Sequence, residues 1–345
     1  MTAPTIKDIL GQVVSGHHLV DTHAEFFLNE VMDGKVPEPM LASFLTAMKM
    51  KGETTDELFG FVRAMRHHAI KPKTNFGFDF LDTCGTGGDG KGTLNVSTLS
   101  ALTLASLGHK VAKHGNRSVS SLSGSSDILS GLGYPLERTH EECENEFLRT
   151  GFVFLFAPAW HPAMKYAGPV RAALGFRTFF NLIGPLSNPF SPTHQIVGVY
   201  DRSLCLPMAE ILGKLGLKQA IVCHSQDGLD EFSIFEPTDY AYFDGKDTQE
   251  LRFDPKELRL TESELDRNTV FSSSKEGAEA LFRAVLDPSS ATGGTAMVSL
   301  NAGVSLFLLG AVKDVKTGYE IARDALLSKK VLRFVRETLN LRSAL

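Results

Sequence analysis

The residues with the clearest chemical potential form a glycine-rich segment, residues 82–90, which follows a short Phe-rich stretch. Residues 85–90 match the pattern G-x-G-x-x-G, whose glycines let a backbone approach a ligand closely. A nicotinamide or flavin site is disfavoured, because that motif opens a helix and has an acidic residue about 20 positions later. Here helix-starting residues appear only near Ser97, and no Asp or Glu lies between Gly90 and Ser126. A Walker phosphate loop is excluded, because Gly92 stands where Ser or Thr is required.

The acid-free window from 90 to 126 carries basic and hydroxyl side chains. Its members include Lys91, Thr93, Asn95, Ser97, Thr98, Lys110, Lys113, Arg117, Ser118, Ser120, Ser121, Ser123 and Ser125. Glycine-loop amides, a helix N-terminus, hydroxyls and cations are the donors that bind phosphate oxygens. The window therefore predicts a site for a small, highly phosphorylated ligand; the alternative is a tight turn followed by a Ser-rich surface loop.

Two further positions could bind charged groups. Asp230 and Glu231 could bind Mg²⁺, which takes one or two carboxylates together with phosphates and waters. Adjacent residues on a strand point to opposite faces, so we expect this pair at a turn or strand end. Arg171, in a helical run, has a guanidinium fork that suits a carboxylate. The alternatives are a solvated acidic loop and a surface arginine.

The surrounding sequence predicts an α/β fold with a small N-terminal helical domain and a larger α/β domain. Helical spacing of apolar residues fills the first seventy-odd positions, and residues 71–75 break it. Strands are predicted at 78–83, 110–113, 152–156, 196–199 and 220–223, and helices at 99–107, 123–133, 295–309 and 319–338. The strand–helix alternation indicates a mostly parallel central sheet, whereas residues 239–267 predict surface loop and short strands. We expect domains at 1–73, with a helical return at about 161–188, and at 76–345.

Composition excludes several classes of protein. The 345 residues include 43% hydrophobic and 22% charged residues, which is ordinary for a folded, soluble chain. The net charge of −5 gives no bulk attraction for nucleic acid, and the apolar stretch 304–312 is too short to span a bilayer. The four cysteines form no Cys-x-x-Cys pair, and no signal peptide is evident, so we expect a reduced, cytoplasmic protein. The 24 phenylalanines are expected mainly in the core, with Phe179 and Phe180 as candidate neighbours of an aromatic substrate.

Several segments together resemble the anthranilate phosphoribosyltransferase family. They are residues 44–54, 82–90, 93–98, 113–121, 157–164, 177–189 and 227–231, in order over nearly the whole chain. One departure is Ser225, where the family often has glycine. The resemblance implies a fold like that of nucleoside phosphorylases, with the active site in the cleft between the domains. It also implies transfer of a phosphoribosyl group from 5-phosphoribosyl diphosphate (PRPP) to anthranilate, in tryptophan biosynthesis.

The resemblance also implies ligands, residue by residue. PRPP would contact Gly85, Gly88, Asp89, Thr93, Asn95, Val96, Ser97, Thr98, Lys113, His114, Gly115, Asn116, Arg117, Ser118, Val119, Ser120, Ser121 and Ser125. Anthranilate would contact Gly85, Asn116 and Arg171, and two Mg²⁺ ions would bind Ser97, Asp230 and Glu231. No residue is assigned as acid or base, because positioning and electrostatics are expected to drive the reaction. A homodimer through the helical domain is implied as well.

Two rival functions are considered. A pyrimidine nucleoside phosphorylase shares the fold and also cleaves at ribose C1, but its Lys-His-Ser-Thr-Gly-Gly loop is absent. A nucleic-acid-binding relative without anthranilate activity would need a basic surface. Here the basic cluster coincides with the candidate phosphate loop, and we expect no nucleic-acid or membrane partner.

Overall fold

The computed structural model describes residues 4–87, 90–117 and 124–341. The chain divides into two compact units. The first comprises Met1–Lys71 and Ala157–Ser191, and the second Pro72–Phe156 and Pro192–Leu345. Within the described part, no helix is long and apolar enough to cross a membrane.

The elements of regular structure run in the following order. The helices are α1 (Ile6–Val14), α2 (Asp21–Met32), α3 (Glu38–Lys51), α4 (Thr55–His68), α5 (Val96–Ser106), α6 (Ser125–Gly131), α7 (His140–Thr150), α8 (Ala157–Trp160), α9 (Gly168–Leu174), α10 (Phe180–Ile183), α11 (Cys205–Lys214), α12 (Lys275–Leu286), α13 (Gly293–Leu308), α14 (Val315–Leu327) and α15 (Lys330–Arg333). The strands are β1 (Leu81–Gly85), β2 (Val111–Gly115), β3 (Phe152–Phe156), β4 (His194–Gly198), β5 (Gln219–Ser225), β6 (Thr238–Phe243) and β7 (Thr248–Phe253).

The first unit is helical, as predicted for the N-terminal seventy residues. Capping boxes begin α1 and α4, where Thr5 and Thr54 accept from the backbone of the third helical residue. Its core is a set of phenylalanine rings; the Phe27 and Phe44 rings stack at 3.7 Å and those of Phe61 and Phe179 at 4.0 Å. Aromatic packing of this kind joins the N-terminal helices to the returning segment 157–191.

The second unit is built on a seven-stranded sheet of order β3-β2-β1-β4-β5-β6-β7. The first five strands in this order are parallel, and β6 and β7 are antiparallel. This confirms the predicted mostly parallel sheet. The chain moves outward from β1 to β3 and then returns to place β4 against β1, so the strand order reverses at the β1–β4 pair. Helix α13, buried along nearly its whole length, packs against α5 and α14.

The predicted elements differ from the observed ones in three places. Helix α5 begins at Val96 instead of residue 99, because Asn95 already has the non-helical backbone of an N-cap. The predicted helix 319–338 is wrong as one element, because Lys329 adopts a left-handed backbone between α14 and α15. The strand predicted at 78–83 begins later, at Leu81, and continues to Gly85, so the first glycine of the glycine-rich segment belongs to the strand. The polar stretch 239–267 does contain short strands, as predicted: β7 and most of β6 lie in it, and β7 exposes four of its six residues.

Candidate functional site

The candidate site lies at the carboxyl edge of the parallel sheet. Strands β1, β2 and β4 all end in glycine at this edge, at Gly85, Gly115 and Gly198. Crevices at the carboxyl ends of strands, where the strand order reverses, are the usual ligand sites of open α/β sheets. The β1–β4 pair is such a position, and the glycine-rich segment begins there.

Asp230 packs directly against this strand pair. It lies with Glu231 in a half-buried bend between β5 and β6, which agrees with the expected turn. A Cβ atom placed on Gly198 would lie 2.6 Å from the Asp230 carbonyl carbon, and one placed on Gly85 would lie 3.0 Å from Asp230 Oδ2. Both strands therefore need glycine because the acidic bend fills the space where side chains would stand.

Lys113, at the centre of β2, brings a positive charge to the same edge. Its side chain is 1% exposed, and Nζ donates to the Thr83 carbonyl and, at 3.0 Å, to Ser97 Oγ. Burial lowers the pKa of Lys113, and the nearby carboxylates of Asp82, Glu231 and Asp230 oppose that shift. The lysine thus connects the helix start at Ser97 with the acidic bend electrostatically.

A buried carboxylate that sequence reasoning missed holds the strands in register. Asp82 is fully buried; Oδ1 accepts from His114 N at 3.1 Å and Oδ2 from Gln195 Nε2 at 3.2 Å. These bonds connect β1 to the strands on its two sides, β2 and β4. The same amide nitrogen lies 3.2 Å from Cys84 Sγ. The periodicity of the strand gave no signal for Asp82, because its partners come from two distant segments.

The N-terminus of α5 opens toward the candidate phosphate-binding window. Its first turn contains Val96, Ser97 and Thr98 and no acidic residue, so the positive end of the helix dipole is not neutralised locally. Thr98 Oγ1 donates to Ser125 Oγ at 3.0 Å, which joins the starts of α5 and α6. The structure thus brings Ser97, Thr98 and Ser125, three of the predicted hydroxyl residues, together at the starts of these two helices.

The segment before α5 is fixed to a distant part of the same unit. Leu94 N donates to Val270 O at 2.9 Å, Ser272 N donates to Gly92 O at 2.8 Å, and Thr93 forms a β-bridge with Phe271. Thr93 and Asn95 are therefore held by main-chain bonds just before the helix. Residues 270–272 had no distinguishing sequence signal.

The segment after β2 completes the described part of the window. Ser125 lies near Gly115, where an added Cβ would be 3.8 Å from Ser125 Cβ. Asn116 and Arg117 are exposed, and Arg117 N donates to Asn116 Oδ1 at 2.7 Å. The remaining predicted residues lie outside the described residues: Gly88, Asp89, Ser118, Val119, Ser120 and Ser121, with Ser123 of the predicted helix start.

Arg171 belongs to the first unit, on α9. Its guanidinium lies over the Phe180 ring at 4.9 Å, a cation–π arrangement, and burial lowers its pKa. Phe180 in turn stacks on Phe179 at 4.6 Å, and both rings are buried. The two phenylalanines therefore belong to the core of their unit, and Phe180 supports Arg171 from that core.

The donor set at the acidic bend fits Mg²⁺. Among the described residues no cluster of three or more His, Cys, Asp or Glu side chains could hold a metal ion by itself. A hydroxyl on Ser97 and two carboxylates are hard oxygen donors, which suit an ion that completes its shell with phosphate and water. The close approach of Asp230 to Gly85 sets one carboxylate beside the candidate phosphate window.

Two family models match this sequence, one in the N-terminal helical region and one over most of the remaining chain. A model of the glycosyl transferase family, helical bundle domain, matches residues 7–69, and one of the glycosyl transferase family, a/b domain, matches residues 77–331. The anthranilate phosphoribosyltransferase of Geobacillus sp. (strain WCH70) is 40% identical over 324 residues, covering 94% of each chain. That of Stutzerimonas stutzeri (strain A1501) is 40% identical over 94% of this chain and 93% of its own.

Solved structures agree with the sequence comparison. The crystal structure of anthranilate phosphoribosyltransferase from Thermus thermophilus has a TM-score of 0.87 at 35% identity, covering 97% of this chain and 99% of that one. The enzyme from Saccharomyces cerevisiae in complex with PRPP and Mg has a TM-score of 0.86 at 25% identity, covering 100% and 99%. On this evidence the chain belongs to the anthranilate phosphoribosyltransferase family.

Proposed function

We propose that this protein transfers the phosphoribosyl group of PRPP to the amine of anthranilate, giving N-(5-phosphoribosyl)anthranilate and diphosphate. The observation that carries the proposal is the meeting of Lys113, Ser97 and the Asp230–Glu231 bend at the β1–β4 edge. One buried cation, a helix start and two carboxylates suit a polyanion that is bound together with a divalent cation. The reaction belongs to tryptophan biosynthesis.

The phosphates of PRPP bind along the window that begins at Gly85. The first turn of α5 and the hydroxyls of Ser97, Thr98 and Ser125 donate to phosphate oxygens, and Lys113 supplies a charged donor. By resemblance to the family, contacts to the same ligand are also assigned to residues 113–121 and to Gly88, Asp89, Thr93 and Asn95. Support comes from the convergence of the described members of this set around the ends of β1 and β2.

Ser97, Asp230 and Glu231 hold Mg²⁺, and we propose two ions. Bound Mg²⁺ neutralises negative charge on the diphosphate, which makes diphosphate a better leaving group. The residues themselves orient this assembly: Asp230 is fixed against Gly85 and Gly198, and Lys113 donates to Ser97 Oγ. The protein thereby holds the metal-binding oxygens in place before substrate arrives.

Anthranilate is bound by contacts to Gly85 and Asn116 and by the guanidinium of Arg171. The planar fork of arginine can donate two parallel hydrogen bonds to a benzoate carboxylate. Partial burial of Arg171 over Phe180 restricts its motion and limits competition from water, which strengthens such bonds. A lysine at this position could not reproduce the two-point contact.

The chemistry requires positioning more than proton transfer. Displacement at ribose C1 passes through an oxocarbenium-like state, as in other glycosyl transfer. The attacking aromatic amine is neutral at physiological pH and needs no base before it attacks. Orientation of the two substrates and stabilisation of the departing diphosphate therefore provide the acceleration.

We also propose that the protein is a cytoplasmic homodimer formed through the first unit. Helices α1 and α3 present an apolar surface in which Val14 is 63% exposed and Met50 is 84% exposed. Covering such side chains with a second copy removes apolar area from water. Light scattering after size exclusion should give twice the chain mass, and Met50→Lys should shift the equilibrium toward monomer.

All four cysteines are free and buried, as suits a reducing compartment. We also propose a helical domain at 1–73, with its return at about 161–188, and an α/β domain at 76–345.

The proposed function is tested by following anthranilate fluorescence. The signal should fall when PRPP and Mg²⁺ are both added to enzyme and anthranilate, and should stay constant when either is omitted. A parallel assay with thymidine or uridine and inorganic phosphate tests the phosphorylase alternative. Phosphorolysis without anthranilate consumption would replace the proposed function with that alternative.

A further inference from the structure

Asn301 on α13 makes an unusual pair of contacts with the segment that carries the acidic bend. Its Oδ1 accepts from Phe232 N at 3.0 Å, and its Nδ2 donates to Phe232 O at 2.9 Å. Nδ2 also donates to Met297 O at 2.9 Å, one turn earlier in the same helix. One side chain therefore bonds both backbone groups of the residue immediately after Asp230–Glu231.

The orientation of this amide is determined by its partners. If Oδ1 and Nδ2 were exchanged, the amide N–H would face the Phe232 N–H and the amide oxygen would face two carbonyl oxygens. Only the observed orientation lets every donor meet an acceptor. Asn301 is 5% exposed and Phe232 is 1% exposed, so water cannot readily replace either bond. The Asn301 side chain is thus a buried clamp that joins α13 to the backbone of Phe232, with all its hydrogen-bonding groups satisfied.

The opposite end of the bend is also fixed. Leu229 is buried, and its carbonyl accepts from Ser225 N, the last residue of β5, at 2.9 Å. The two acidic residues thus lie between a main-chain bond to the sheet and the side-chain clamp to α13. Of these two restraints, the clamp alone is accessible to a side-chain substitution.

We propose that Asn301 is a positioning residue for the metal-binding carboxylates Asp230 and Glu231. The inference rests on the proposed function, because it takes these carboxylates as ligands of Mg²⁺. Asn301 acts through the main chain, because its bonds to Phe232 fix the backbone next to Glu231. Outer partners that orient metal ligands typically change metal affinity by about 10–100-fold when removed.

The test compares Asn301→Leu, which keeps the size of the side chain and removes all three bonds, with Ser299→Ala. Ser299 lies on the same helix, is fully buried, and donates only within α13, to Thr295 O at 2.6 Å. Affinity for Mn²⁺ in the presence of diphosphate is measured from the paramagnetic resonance of free Mn²⁺. We expect it to fall about 10-fold or more in Asn301→Leu and to stay within a factor of about two in Ser299→Ala. The Mg²⁺ concentration for half-maximal activity should rise in parallel, with little change in the KM for anthranilate.

Backbone hydrogen exchange gives a readout that does not require a metal. The Phe232 amide should be protected in the unaltered protein and should lose that protection in Asn301→Leu, while the amides of α13 keep theirs. If Asn301→Leu fails to fold, Asn301→Ala also removes all three bonds and leaves space in which water can bond to the Phe232 backbone. Unchanged Mn²⁺ affinity in a folded variant, or a Phe232 amide that exchanges freely in the unaltered protein, would overturn the inference. Absence of anthranilate turnover in the unaltered protein would count against the proposed function, and the Mn²⁺ and exchange data would still decide the role of Asn301.

Discussion

Gly198→Ala is the substitution that most directly probes the packing of the acidic bend on the sheet. The φ of Gly198 lies outside the left-handed region, so alanine is compatible with its backbone conformation. The obstacle is space alone. The new Cβ would overlap the Asp230 carbonyl oxygen, and it would lie 2.6 Å from the carbonyl carbon and 3.2 Å from Asp230 Cβ. Main-chain atoms cannot rotate away as a flexible side-chain end can.

The size of the required shift follows from ordinary contact distances. Non-bonded carbon and oxygen atoms normally lie more than about 3 Å apart, and the Asp230 carbonyl oxygen is the nearest atom, so the Asp230 backbone must move by about 1.5 Å or more. Overpacking of this kind typically costs about 1–3 kcal/mol of stability. A misplacement of about 1 Å can lower activity by about 100-fold. We therefore expect a folded protein that loses about 3 kcal/mol of stability, the upper end of this range, and most of its Mg²⁺-dependent activity.

A graded series supplies the controls. Gly85→Ala would place Cβ 3.0 Å from the Asp230 carboxylate, which can give way partly, so its effect should be intermediate. Gly131→Ala on α6 would meet Glu279 Oε1 only at 3.7 Å, an ordinary contact, and should leave activity unchanged. Activity is measured as kcat/KM for PRPP at saturating Mg²⁺, and stability by urea unfolding. Normal kcat/KM in Gly198→Ala, or equal losses in all three variants, would refute the reasoning.

Three further predictions follow from the described contacts. Lys113→Met removes the donor to Thr83 O and Ser97 Oγ, so the KM for PRPP should rise by about 100-fold and the KM for anthranilate by less. Equal increases in both KM values would contradict the assignment of Lys113 to the PRPP site. Arg171→Lys keeps the charge but loses the fork, so steady-state kinetics should show a KM for anthranilate raised by about 10-fold and an unchanged KM for PRPP; an unchanged anthranilate KM would remove Arg171 from the site. Burial lowers the pKa of His161 from 6.5 to about 4, so between these values the unfolded chain binds more protons and stability falls as pH decreases. From about pH 7 to about pH 5 this histidine should cost about 2 kcal/mol in urea unfolding, and His161→Gln should lose that part of the pH dependence; an identical dependence in the variant would contradict the shift.

Local signals in the sequence were sufficient for most of the fold. Helical spacing of apolar residues identified the N-terminal helices, because an apolar face is read from neighbouring positions. The continuous apolar run of β3 was located at its observed bounds, since a buried parallel strand requires such a run. The edge strand β7 had no comparable signal, because one exposed face permits polar residues such as Gln249 and Glu250.

The site was only partly predictable for a related reason. Glycines and hydroxyls marked the candidate phosphate window, because those residue types are required locally. The packing of Asp230 on Gly198 and the clamp of Asn301 on Phe232 join segments that are far apart in the sequence. In the sequence, Asp82 is only one residue of a motif. Its bonds to His114 and Gln195 could not be predicted, because they depend on which strands lie beside β1.

The central claim is tested most directly by identifying the products of one reaction. Purified protein is incubated with anthranilate, PRPP and Mg²⁺, and the mixture is analysed by mass spectrometry together with a diphosphate assay. The account predicts one N-(5-phosphoribosyl)anthranilate and one diphosphate for each anthranilate consumed, with no product when Mg²⁺ is chelated. Unchanged anthranilate in the complete mixture, or ribose 5-phosphate and diphosphate as the only products, would contradict it.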